Sequence, residues 1–301
     1  MRSRDQFKKI TGIAGIVGVL VVSAGCGGGG GGSAPSTGGF AIPNDLTVLK
    51  PGVVSTISNT LVAWQTGDEW YYSIGGQLRN AANQIETIHH GYSAVTIGAP
   101  TDAGEPGFGG PGALTMTDQR YIYFASTKVS SNNLKTYLND GATGHIEVGD
   151  TAEKDGNMEY VGNDICDPAG GFQVVPTNFD ITTGFSGGSA FYVPTGIDKT
   201  TACGQGSTLS NQEQVTFTVL DQEQVTVPAG TFQVWKVRST RNYIQQGIKS
   251  VDVAYWAPQI GGYVEIFSER DGTDGHESYQ YQLIGFKSRA SQTVPPLVKA
   301  K

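Results

Sequence analysis

The side chains best able to do chemistry are Ser186, the pair His89 and His90, and a run of carboxylates. Gly184-Phe185-Ser186-Gly187-Gly188 fits Gly-x-Ser-x-Gly. A serine nucleophile in that motif needs a strand before it and a helix after it, so that its hydroxyl meets a helix N-terminus. Here the chain runs from Gly187-Gly188-Ser189 into the β-prone stretch 190–193, and His276 lies in a turn-like stretch. A glycine-rich hairpin loop is expected, and a serine-dependent hydrolase is the outside alternative. His89 and His90 leave opposite faces of any strand that carries them, because strand side chains alternate. They are expected to be ordinary strand histidines rather than a metal pair. Glu147, Asp150, Glu153, Asp155, Glu159, Asp164 and Asp167 outnumber the single Lys154 between them. Calcium takes six to eight oxygens from a turning loop, and residues 150–157 would supply some. Their spacing is not that of the twelve-residue calcium loop, so a solvated acidic face is the plainer reading. Asp271-Gly272-Thr273-Asp274-Gly275 reads as a turn. No catalytic residue, metal or cofactor is expected.

The remaining reactive group is a thiol. Arg2, Arg4, Lys8 and Lys9 precede an apolar run at 10–22, and Ser23-Ala24-Gly25-Cys26 follow it. A membrane span needs roughly 20 apolar residues to cross about 30 Å of hydrocarbon, so the run reads as an export signal. Small residues before Cys26 let a peptidase reach the backbone, and the thiol is open to acylation. The order resembles the bacterial lipoprotein signal, with Ser23 where that pattern usually has an aliphatic residue. An ordinary cleaved signal or an uncleaved anchor are the alternatives. The resemblance implies a lipid-anchored protein of a Gram-negative cell envelope, and Gly27 after the cysteine implies the outer membrane. Export would place Cys166 and Cys203 in an oxidising compartment, where an even pair suggests a disulfide. It would close a loop of about 38 residues, contributing ~4 kcal/mol in the chain-entropy picture.

Removing residues 1–25 leaves a net charge of about −10, which disfavours nucleic acid and anionic headgroups as partners. Residues 26–41 are a Gly/Ser-rich tether with an r.m.s. reach of ~20 Å. From residue 42 the chain is nearly all strand signal. Expected strands include 53–64, 69–74 (stopped by Gly75-Gly76) and 84–97 (bent at Gly91), then 120–126, 145–148, 158–161, 172–175, 178–183 and 190–193. Residues 99–112, rich in Gly and Pro, belong to a loop insertion over 98–118. Leu134, Tyr137 and Leu138 predict one short helix at 132–139. The last third is a series of hairpins: 214–227 returns through Pro228-Ala229-Gly230 to 231–239, then 249–256, 263–268 and 278–287. The expected fold is all-β: a curled antiparallel sheet or incomplete β-barrel built as a hairpin meander, with at most one or two short helices. It spans a single domain at 42–290, followed by a flexible tail at 291–301. Trp70, Tyr72, Trp235, Tyr255 and Trp256 fall on different strands. Sharing the concave face, they would line an apolar groove; otherwise they are core.

Val225-Thr226-Val227-Pro228-Ala229-Gly230-Thr231-Phe232, Trp235-Lys236-Val237, Tyr255-Trp256-Ala257-Pro258 with Gly261-Gly262, and Leu283-Ile284-Gly285-Phe286 form an ordered series. Over 214–287 it resembles a family of bacterial envelope proteins of unknown function, whose fold is similar to the lipoprotein carriers LolA and LolB. Gly67-Asp68-Glu69-Trp70-Tyr71-Tyr72 resembles the aromatic strand that opens such domains. The resemblance implies an incomplete barrel around an apolar cavity, often helix-covered, and supplies no catalytic residues. The near absence of helix signal departs from that pattern. The expected function is a non-catalytic outer-membrane lipoprotein, a binding or structural module joined to the membrane through lipid on Cys26. An apolar ligand or an envelope protein is the expected partner. A lipid or lipoprotein carrier using the half-barrel cavity is the alternative.

Overall fold

Period-two burial marks several strands of the computed structural model, which describes residues 41–100, 114–124, 127–140, 144–154, 157–162, 172–194, 207–244, 247–272, 275–288 and 297–299. In chain order its strands are β1 (Thr47–Leu49), β2 (Val54–Ser55), β3 (Glu69–Asn80), β4 (Ile85–Ile97), β5 (Leu114–Phe124), β6 (Thr127–Asp140), β7 (Gly144–Lys154) and β8 (Asn157–Gly162). They continue with β9 (Phe172–Pro176), β10 (Gly184–Pro194), β11 (Ser207–Val227), β12 (Gly230–Tyr243), β13 (Ile248–Ala257), β14 (Gly262–Gly272), β15 (Gly275–Lys287) and β16 (Leu297–Lys299). The only helical element among the described residues is a 3-10 turn, Pro258–Ile260.

The sheet is a single curled surface made of two six-strand meanders. One runs β10 to β15 and the other β3 to β8, and β15 joins β3 across the seam between them. Every neighbour along this path is antiparallel. No ladder joins β10 to β8 among the described residues, so the sheet curls without closing. The fold is therefore the incomplete antiparallel barrel that the hairpin signals predict. One two-residue return, Val227 to Gly230, uses Pro228-Ala229 and a glycine at φ +125°, a backbone angle that disfavours a side chain.

Five local expectations are corrected. Residues 178–183 are not a strand: they carry an isolated bridge at Asn178 and a turn in which Thr183 N donates to Asp180 O. Residues 132–139 are strand, the middle of β6. Leu134 is in register with Asp118 on β5 and Ala152 on β7, and two ladders outweigh an eight-residue helix that is marginal by itself. Gly75-Gly76 does not end β3, which continues to Asn80. A Cβ at Gly76 would lie 2.3 Å from the Tyr279 ring, so the glycine gives that ring its place over the strand. The expected loop over 98–118 contains the start of β5 at Leu114, and residues 101–113 lie outside the described residues. Within the expected tail, Leu297–Lys299 pairs antiparallel with Thr47–Leu49, taking the edge that β1 leaves open.

Residues 53–64 depart most from the sequence reading. Only Val54–Ser55 is strand, pairing parallel with β12. The rest crosses the end of the curled sheet: Leu61 N donates to Thr177 O, Val62 N to Pro258 O, and Thr60 bridges Asn178. This segment closes one end of the structure, the base. Phe232, Val234, Ala257, Ile260, Val264, Leu283 and Phe286 are fully buried around it.

Candidate functional site

The base is built from tryptophans placed by glycines. The Trp70 indole N–H donates to Ile260 O at 3.0 Å, and that of Trp64 to Gly261 O at 2.7 Å. Gly261 turns at φ +66° after the 3-10 turn. A Cβ on Gly262 would sit 2.6 Å from Trp70 Nε1. Gly261-Gly262 thus leaves the room that two indoles fill. Trp256 packs on Tyr263 with ring centroids 4.1 Å apart, and Tyr72 Oη donates to Tyr263 O at 3.0 Å.

Above this base the concave face holds a cavity that is partly open to solvent. Ligand sites have this character: concave, mostly apolar, with a few placed polar groups. Its apolar wall includes Val95, Leu138, Phe217, Val237, Ala254 and Ile266. Register partners share a face, so the wall is continuous from Val237 to Ala254 to Ile266 to Tyr281 across four strands.

Further from the base the same inward positions become polar. On β5 the inward series is Met116, Asp118, Arg120 and Ile122; on β12 it is Val237, Ser239, Arg241 and Tyr243. Asp118 and Arg120 are 4% and 6% exposed. Arg120 Nε donates to Asp118 Oδ2 at 2.6 Å, and Ser93 Oγ donates to Asp118 Oδ1 at 2.6 Å. The Arg120 guanidinium lies 5.6 Å from the Tyr281 ring centroid, within cation–π range. Across the cavity, Arg241 and Asp252 are 1% and 3% exposed. Arg241 faces Ser250 and Asp252 faces Ser239 in the β12–β13 register, placing the two charges diagonally. Thr136, 2% exposed, also lines the cavity, and its hydroxyl has no hydrogen-bond partner among the described residues.

Burial holds the tyrosine hydroxyls neutral. Desolvation is the largest cause raising Tyr72, Tyr263, Tyr279 and Tyr281 well above the ordinary tyrosine value. None supplies a phenolate near neutral pH. His89 is shifted the other way by burial and then by His90, which favours its uncharged ring. What the wall offers is hydrogen bonding and paired charge around an apolar space.

The sequence-predicted groove residues divide. Trp70, Tyr72 and Trp256 line the cavity. Trp235 does not: it is buried toward the base, its indole N–H donating to Ser58 O at 2.9 Å. Tyr255 does not either, because alternation sends it to the other face beside Phe267 and Lys236. Cys26, Cys166 and Cys203 lie outside the described residues. Ser186 is an exposed strand residue of β10 in register with Thr216, without the helix a nucleophile elbow needs. His89 meets Tyr279 while His90 is exposed, as alternation predicts. Much of the acidic run lies in the β7–β8 hairpin rather than in a cation-binding loop, and no metal-ligating cluster occurs among the described residues.

The sequence reading missed Asp118, Arg120, Arg241, Asp252 and Thr136. Their signal was phase: each stands at an inward position of an alternating strand whose other inward residues are largely apolar.

No family model and no curated protein matches the chain. Among solved structures it is similar to a protein from Bacteroides fragilis NCTC 9343 described as exported with a YmcC-like fold, at 14% identity and TM-score 0.31, covering 77% of this chain and 100% of that one. A protein described as a lipoprotein from Parabacteroides distasonis ATCC 8503 is similar at 13% identity and TM-score 0.33, over 76% and 99% of the two chains. A beta-barrel-like protein of domain of unknown function DUF1849 from Brucella abortus is similar at 9% identity and TM-score 0.39, over 75% and 99%. Likenesses this loose carry no functional information.

Proposed function

We propose that this protein is a non-catalytic lipoprotein of the cell envelope that holds an apolar or amphipathic small molecule inside its curled sheet. The observation that carries the reading is the cavity: an apolar wall over a tryptophan base, on the face where a filled core would otherwise stand. Binding rather than reaction fits its chemistry, since its charges are buried among partners and its tyrosines are held neutral. Acylation of Cys26 would keep the domain near a membrane, and two or more acyl chains give a stable anchor where one does not.

Two experiments test this. Ala254 is buried on the cavity wall between Val237 and Ile266, so Ala254→Phe places a ring in the space a ligand would use. N-phenyl-1-naphthylamine, an uncharged apolar fluorophore, is expected to bind the native protein and to bind Ala254→Phe at least about tenfold more weakly, ~1.4 kcal/mol. Equal binding by the two would remove the cavity from the account. For the anchor, cells fed radioactive palmitate are expected to label the native chain and not Cys26→Ser. Equal labelling of both would defeat the lipoprotein reading and leave the cavity standing.

A further inference from the structure

We propose that the cavity selects an amphiphile whose polar end is uncharged, a hydroxyl-bearing head held beside Thr136. The inference rests on the proposed binding role and adds the chemistry of the ligand.

Charge is the first argument. The charged residues lining the cavity among the described residues are Asp118, Arg120, Arg241 and Asp252, two of each sign. They come as neighbours: Arg120 is bonded to Asp118, and Arg241 lies diagonal to Asp252. A buried ion is tolerated only where an opposite charge and hydrogen bonds replace its water. A carboxylate entering this wall meets Asp118 and Asp252 as well as the arginines, and an ammonium meets the reverse. With two residues of each sign on the wall, an ion of either sign meets like charges as well as counter-charges and gives up its hydration to enter. An uncharged head avoids that loss.

The hydrogen-bonding capacity of the wall is the second argument. Thr136 Oγ1 is buried, lines the cavity and has no partner among the described residues. Buried hydroxyls are almost always paired, and an exception needs an explanation. A ligand hydroxyl or ester oxygen at this point would supply the partner. Thr136 is in register with Met116, whose neighbour on the inward series is Asp118, so the head would sit at the margin between apolar wall and charged belt. The hydrocarbon would then run toward Trp70, Tyr72 and Trp256.

Competition against N-phenyl-1-naphthylamine on the full chain tests this, using three ligands with one eighteen-carbon tail: 1-monooleoylglycerol, oleate and oleylamine. At pH 8 the second is an anion and the third a cation, by the ordinary pKa values of their groups. Monooleoylglycerol is expected to displace the probe at a concentration at least about tenfold lower than either ion. Equal or tighter displacement by oleate or oleylamine overturns the head-group inference while leaving cavity binding intact. No binding of the probe or of any of the three overturns the binding role itself. Thr136→Val keeps the side-chain shape and removes the hydroxyl. It is expected to weaken monooleoylglycerol roughly five- to tenfold and leave the probe unchanged. An unchanged monooleoylglycerol affinity overturns the placement of the head at Thr136, as does an equal loss for the probe.

Discussion

Replacing Trp70 by alanine is expected to cost about 3–5 kcal/mol of folding stability, the range for a large aromatic removed from a packed interior. The side chain is 2% exposed, and its indole N–H is spent on Ile260 O. Its removal would leave a hollow against Gly262, whose missing Cβ already makes room for this ring. The neighbouring indole of Trp64 is held by Gly261 O on the same turn, so collapse into the hollow would disturb the segment that closes the base. Trp70→Phe keeps most of the packing and leaves the Ile260 carbonyl unpaired, a loss of about 1–3 kcal/mol. Urea titration followed by near-ultraviolet circular dichroism measures both. A loss below about 1 kcal/mol for Trp70→Ala would mean that the base unfolds independently of the sheet.

Asp118→Ala is expected to be as severe, about 3–5 kcal/mol, for an electrostatic reason. It leaves the Arg120 guanidinium buried without its carboxylate, and it takes the acceptor from Ser93. The double replacement Asp118→Leu with Arg120→Met removes both charges together. It is expected to recover most of the loss, because buried ion pairs exchange for apolar pairs of similar volume at little cost. A double-mutant cycle reads the coupling directly. If the double variant loses as much as the single one, the pair contributes by shape rather than by charge. Together the two sites separate the parts of the interior: Trp70 belongs to the closure of the base, and Asp118 to the polar belt above it.

The sheet was legible because its hairpins are short and their turns chemically marked. Val227-Pro228-Ala229-Gly230 and the alternation of β13 specify where each strand reverses and which face is inward. Residues 132–139 misled because three apolar positions satisfy a helical spacing, while the two ladders that hold them come from sequence-distant surroundings. Residues 53–64 misled for the opposite reason. Their β-branched composition suits a strand, but the backbone finds partners at Thr177 and Pro258, more than a hundred residues away. In the site, the aromatics were visible by type and only partly by face: Tyr255 and Trp256 are adjacent, so at most one could look inward. The belt was invisible by composition, since a lone arginine or aspartate in a strand is usually solvated. Only the phase of Trp235, Val237, Ser239 and Arg241 along β12 reveals that a charge has been drawn indoors.

The entry of the chain at the base has a geometric result. Asp45 binds Lys287 at 2.9 Å, and Leu46 packs on Gly285, so the first described residues attach beside the stoppered end. Strands of eleven to fourteen residues rise roughly 35–45 Å from that end. With Cys26 acylated as proposed, the chain would reach the vessel at its floor, and the polar belt would stand further along the strands from the point of attachment.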